Sequence, residues 1–241
     1  ALERQHYLFE YAFIQADGTL TVNGGMELPS ASFHYRGGAM AGNPLYLING
    51  ALTIGSDATN GGGFTMTGSG NSLTGDLKPS QVLWVQGNGR GGHTKVSAAS
   101  GFQNDGAIRL ESANSSYESS LEIQNGTLTN LAGGTIHFQT GSGGNRYLLG
   151  SLLNHGTVNV DYGSTYFSKA SGRYDNHGLI RIATGQTLYL AGQSQQFNQN
   201  AGALTVNGGT DFESIVFNYN GGVITGTVYL INATLNLSPD A

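Results

Sequence analysis

The sequence predicts an all-β chain wound as a parallel, right-handed β-helix (β-solenoid) with roughly 20–24 residues per coil. The first ground is a recurring phrase. Leu152-Leu153-Asn154-His155-Gly156-Thr157-Val158 returns as Tyr174-Asp175-Asn176-His177-Gly178-Leu179-Ile180. It returns again as Asn198-Gln199-Asn200-Ala201-Gly202-Ala203-Leu204 and Asn218-Tyr219-Asn220-Gly221-Gly222-Val223-Ile224, with glycine steps of 22, 24 and 20 residues. The second ground is the two-residue alternation of apolar and polar side chains after each glycine, the period of a half-buried strand. The third is composition: 38% of residues are hydrophobic, only 10% are charged and 39 are glycine. That is too patterned for a disordered chain and suits short strands joined by glycine bends.

In chain order, residues 1–16 form a separate opening segment. Tyr7, Phe9, Tyr11 and Phe13 alternate with Leu8, Glu10, Ala12 and Ile14, so one strand face is wholly aromatic. Such a strand either caps its own first coil or is donated to a neighbouring subunit. Residues 17–241 are read as the solenoid, irregular to about residue 100 and regular over 101–241. Asp17-Gly18 and Asn49-Gly50 each precede an alternating strand, and Phe33-His34-Tyr35-Arg36-Gly37-Gly38 prefigures Phe217–Gly222, which suggests an internal duplication. Trp84, the single tryptophan, lies in the run Gln81–Gln86, which is read as a strand core packed inward. One coil between Gly106 and Gly156 is expected to be longer or to carry two turns.

For the coil that begins at Gly156 the expected strands are Thr157–Val160, Ser164–Phe167 and residues 173–175. Val158/Val160, Ile180/Ile182 and Leu204/Val206 should then stack in the core. Asn154, Asn176, Asn200 and Asn220 are expected to form one asparagine ladder, and Gly156, Gly178, Gly202 and Gly222 to supply bends with positive φ.

Net charge is −5, with no block of either sign, so the chain lacks the basic stripe that nucleic acid or an anionic membrane requires. No apolar run is long enough to span a bilayer, and no membrane insertion is expected. Without cysteine there is no thiol catalysis, thiolate metal site or disulfide. The chain begins Ala1-Leu2-Glu3-Arg4, not as a signal peptide, and reads as a piece of something longer. The glycosylation triplets at Asn114, Asn125 and Asn232 are read as chance matches in an Asn/Ser/Thr-rich chain.

The pattern hydrophobic-x-Asn-x-Gly-Thr-hydrophobic-x-hydrophobic, with its following Gly-x-Thr-hydrophobic, resembles the bacterial extracellular β-helix proteins. That group includes filamentous-haemagglutinin-like adhesins, autotransporter passengers and β-strand-repeat surface proteins. The likeness covers residues 100–237 well and 17–95 weakly. It implies secretion and a cell-surface location. The Asn-Pro-Asn-Gly motif of the haemagglutinin secretion domain is absent; Asn43-Pro44-Leu45 is only a fragment of it.

Candidate chemistry is thin. Glycoside hydrolysis needs two convergent carboxylates, and acids do not recur at the coil period; Asp211 and Glu213 are the best local pair. His155 and His177 should sit one rung apart, half of a metal site, but Ala201 and Gly221 follow in the phrase. Arg109 and Arg181 occupy matching outward strand positions, and Tyr166 and Tyr189 read as an aromatic stack. Gly87-Asn88-Gly89-Arg90-Gly91-Gly92 satisfies G-x-G-x-x-G without a helix to follow it, and is read as accidental.

The expectation is therefore a non-enzymatic extracellular module of a fibre, filament or adhesin, with no cofactor. Its partners would be further repeats or other copies of itself head-to-tail, engaged through Tyr7, Phe9, Tyr11 and Phe13 at one end and Val228, Leu230, Leu235 and Leu237 at the other. The alternative is a β-helix that binds or cleaves carbohydrate, with surface glycans as partners.

Overall fold

The computed structural model describes residues 11–114 and 116–239. Among these residues there is no helix, and the strands pair in parallel through about 10 coils of ~22 residues, a β-solenoid. Each regular coil contributes three strands, one to each of three faces. In the coil after Gly156 these are Thr157–Val160, Thr165–Phe167 and Arg173–Asn176, close to the expected segments. The first face is a sheet of ten strands, from Met26–Pro29 to Val223–Gly226. The second and third faces are joined because Ser119–Asn130 and Arg146–Asn154 each run through the corner between them.

Alternation decides what is inside. On the first face Leu83, Ile108, Ile136, Val158, Ile180 and Leu204 stand in register and are all essentially inaccessible. Val160, Ile182 and Val206 form a parallel column, as expected. The second face adds Leu121, Leu148, Phe167, Leu190 and Phe212, and the third adds Leu128, Leu152, Tyr174, Phe197 and Phe217. Fully burying one such side chain is worth roughly 1.5–3 kcal/mol, so the stacked columns supply the main stabilisation. In the run Gln81–Gln86 the same alternation sends Leu83 and Val85 into the core and turns Trp84 outward.

Register corrects the reading of the N-terminal half. Met26, Leu45, Phe64 and Leu83 are stacked partners, each 19 residues from the next, the most uniform spacing in the chain. The irregularity in residues 55–95 lies on the third face, where residues 55–61 and 75–80 replace strands, and in the corner 88–93 between the first and second faces. Leu83 to Ile108 then takes 25 residues and Ile108 to Ile136 takes 28, so coil length ranges more widely than the expected 20–24. The 28-residue coil is the longer one foreseen before Gly156.

Tyr7 and Phe9 lie outside the described residues. The described part of the opening segment, Ala12–Gln15, pairs in parallel with Ser32–Tyr35 as an ordinary second-face strand of its own chain. Phe13 points inward and stacks on Phe33, with ring centroids 5.5 Å apart, whereas Tyr11 is exposed.

Candidate functional site

The four asparagines of the repeated phrase divide between two ladders. In the buried one, each amide donates to the next coil: Asn104 to Asn130 at 2.7 Å, Asn130 to Asn154 at 2.8 Å and Asn154 to Asn176 at 2.8 Å. The next acceptor is Gln199, at 2.9 Å from Asn176. Asn200 and Asn220 belong to a separate exposed ladder, in which Asn220 donates to Asn200 at 2.8 Å. The expectation of one ladder is corrected here.

The reason is an inserted residue. Asn176 pairs with Gln199 on the third face and Leu179 pairs with Ala203 on the first. The corner therefore holds His177-Gly178 in one coil and Asn200-Ala201-Gly202 in the next. The Asn-x-Gly spacing is identical in both, which hides the shift. The added residue is accommodated by positive φ at Gly202 (61°) and Gly222 (81°), whereas Gly156 and Gly178 lack it. Those two glycines are required for space: a Cβ at Gly156 or Gly178 would collide with the carbonyl of Gly134 or Gly156 one coil below.

The His155 and His177 rings stack at 5.0 Å on the exposed corner. Their third neighbour is an amide, since Asn200 Nδ2 lies 3.1 Å from His177 Nε2. In the column of Asn159 and Arg181 on the first face, Asp161 Oδ1 accepts from Arg181 Nη2 at 2.9 Å and its Oδ2 meets His137 Nε2 at 2.7 Å. Arg181 Nε also donates to Asn159. Both oxygens of Asp161 are therefore occupied within the protein. Arg109 lies over the outward Trp84 ring, 5.6 Å from its centroid. Asp211 and Glu213 both point outward from Gly209–Glu213, below Tyr229 and Ile231 of the last coil.

Tyr147, Tyr166 and Tyr189 stack at 5.2 and 4.8 Å on the outer side of the second face. Rings piled along the coil axis cover both faces of Tyr166, and the Tyr147 hydroxyl accepts from Asn145 Nδ2 at 2.6 Å. Burial raises the Tyr166 phenol, helped by Tyr189, Tyr147 and Asp211.

Sequence reasoning passed over Arg146, which is fully buried. Its guanidinium donates to the carbonyls of Gln139, Gly143 and Gly144 at 3.2, 2.7 and 2.7 Å and sits 4.0 Å over the Tyr162 ring. Burial without a paired carboxylate pushes its pKa down to about 10. It pins the glycine-rich corner 139–145. The only sequence signal was a lone cation at an otherwise inward strand position.

At the C-terminal end, Leu235 follows Phe217 in its core column and Leu237 follows Tyr219. Both are exposed, while Val228 and Leu230 are half-buried against the core. No family model, curated protein or solved structure matches the chain.

Proposed function

We propose that the protein is a non-enzymatic structural module of an extracellular fibre, filament or adhesin, its ends meeting further copies of itself head-to-tail or further repeats of the same chain. The observation that carries this reading is the distribution of bare apolar surface. Among the described residues, the exposed large hydrophobics are Tyr11, Ile14, Val223, Tyr229, Ile231, Leu235 and Leu237, all in the first or last coil. On the walls between them outward aromatics such as Trp84 and Tyr166 are only partly exposed. The final strands Val223–Gly226, Leu230–Ile231 and Thr234–Leu237 each pair on one side only, which leaves backbone donors and acceptors facing along the rod. An apolar end with free strand edges suits strand addition, and a contact between unlike ends propagates. Stiffness would come from the laddered backbone and continuous core. Low charge and the lack of cysteine suit an extracellular coat.

Negative-stain microscopy and light scattering of the purified chain test this. Filaments growing end to end are expected, with Leu235→Asp/Leu237→Asp and removal of residues 1–15 each arresting growth. A wild-type chain that stays monomeric at high concentration, or filaments indifferent to both changes, would sink the head-to-tail contact.

A further inference from the structure

Coil length changes abruptly along the rod, and the step makes a groove. In the 19-residue coils the corner between the first and second faces is short: Leu45–Ile48 is followed by Asn49-Gly50 and then Ala51–Ile54. In the next two coils that corner grows to residues 88–93 and 113–118. The first of these corners reaches back over the narrower coils, where Arg90 meets Glu27.

The overhang is held in shape. Asn88 Oδ1 accepts the backbone N–H groups of Arg90 and Gly91 at 2.9 and 3.1 Å and the Thr67 hydroxyl at 3.0 Å. Backbone bonds between Asn88 and Gly92 close the turn. Gly87–Gly92, uninformative as a phosphate motif, therefore serves the architecture by carrying Arg90 back along the first face to an ion pair with Glu27.

Two adjoining clefts flank that strap, of about 330 Å³ and about 380 Å³, and share Tyr46 and Arg90 as their common wall. The first extends toward Asn114 and the second toward Asn43, where a third depression continues to Gly61–Gly63. Tyr46 is half-buried and stands on the outer row between Glu27 and Thr65. Its hydroxyl and the Asn114 side-chain amide make no hydrogen bond with the described residues. Arg90 has N–H groups beyond the one paired with Glu27. A ring, free amide and hydroxyl groups and spare guanidinium donors suit a ligand rich in hydroxyls with apolar ring faces. The Arg90 and Glu27 charges cancel, and the chain carries −5 overall, which disfavours a polyanion.

We infer that this groove binds a neutral oligosaccharide, with Tyr46 as the stacking surface and Arg90 and Asn114 as hydrogen-bonding groups. The Tyr147–Tyr166–Tyr189 stack is the weaker candidate, because both faces of Tyr166 are covered and the next residues beyond Tyr147 and Tyr189 in that row are Ser120 and Asp211. The inference rests on the fold and groove, not on end-to-end assembly, so either can fail alone.

The test is calorimetric titration of the full chain with neutral β-linked hexasaccharides of glucose, N-acetylglucosamine, mannose and xylose, with oligogalacturonate as the charged probe. At least one neutral oligomer should bind saturably, about tenfold weaker in Tyr46→Ala and measurably weaker in Asn114→Ala, and equally well in Tyr189→Ala. Asn114 lies on an exposed corner, so that variant keeps the test valid if Tyr46→Ala disturbs folding. Failure of every neutral probe, binding of oligogalacturonate alone, or binding untouched by both groove variants would overturn the assignment.

Discussion

Asn176 donates its side-chain amide to Gln199 at 2.9 Å, while Asn200, its apparent equivalent in the repeated phrase, lies one position beyond and meets His177. One inserted corner residue thus moves the buried ladder from asparagine to glutamine. The longer glutamine side chain bridges the coil and then turns to the Ala201 carbonyl at 2.6 Å, ending the ladder.

The two ladders should differ in energetic weight. Asn154 is fully buried and bonded to Asn130, Asn176 and the Leu179 carbonyl. Asn154→Ala is expected to cost about 2–4 kcal/mol, because it orphans buried partners. The exposed Asn220→Ala should cost less than about 1 kcal/mol, since water replaces the lost bond. Urea unfolding of the two variants, read from their midpoints, checks the contrast.

Gly202 and Gly185 both have positive φ, but only Gly202 is crowded. A methyl at Gly202 would strike the Gly178 carbonyl, whereas one at Gly185 meets nothing within 4 Å. Gly185→Ala should cost about 1 kcal/mol from backbone strain alone, and Gly202→Ala at least twice that. Equal costs in thermal unfolding would show that strain, not contact, sets the penalty at both.

Arg146→Lys keeps the charge and loses the fork that reaches three carbonyls at once. The expected loss is about 2–3 kcal/mol, with faster amide exchange confined to residues 139–145. Exchange that speeds up uniformly along the rod would argue against a local pin.

Alkaline pH should weaken the fold through its buried phenols, against an opposite contribution from Arg146, whose lowered value lets the folded state shed that proton first. Burial raises the phenol of Tyr174, and those of Tyr35, Tyr147 and Tyr166 to different degrees. A phenol raised in the folded state binds its proton more tightly there than in the unfolded chain. The associated stability is complete below the ordinary value of 10.0 and is lost as pH rises through the folded value. Tyr174→Phe should therefore flatten the fall in unfolding midpoint above about pH 10. An unchanged slope would remove Tyr174 from the account.

Much of the fold was legible because a β-solenoid is written locally. The Val158/Val160 and Ile180/Ile182 columns follow from a period of two inside each strand and of about 22 between coils. The N-terminal half was harder. Its 19-residue coils carry no constant polar phrase, although Met26, Leu45, Phe64 and Leu83 stack as regularly as any column. The groove was not legible at all, since Glu27, Tyr46, Arg90 and Asn114 come from four coils.

By itself the sequence determined the parallel solenoid, the inward and outward sides of each C-terminal strand, and the absence of thiol chemistry. These depend on side-chain alternation and composition, which are properties of short segments. Tertiary structure decided the split of the asparagine ladder, the outward Trp84, the buried Arg146 and the groove beside Tyr46. Each of these turns on how many residues a corner holds, and corner length shifts which side chains meet between coils without disturbing the pattern inside any strand.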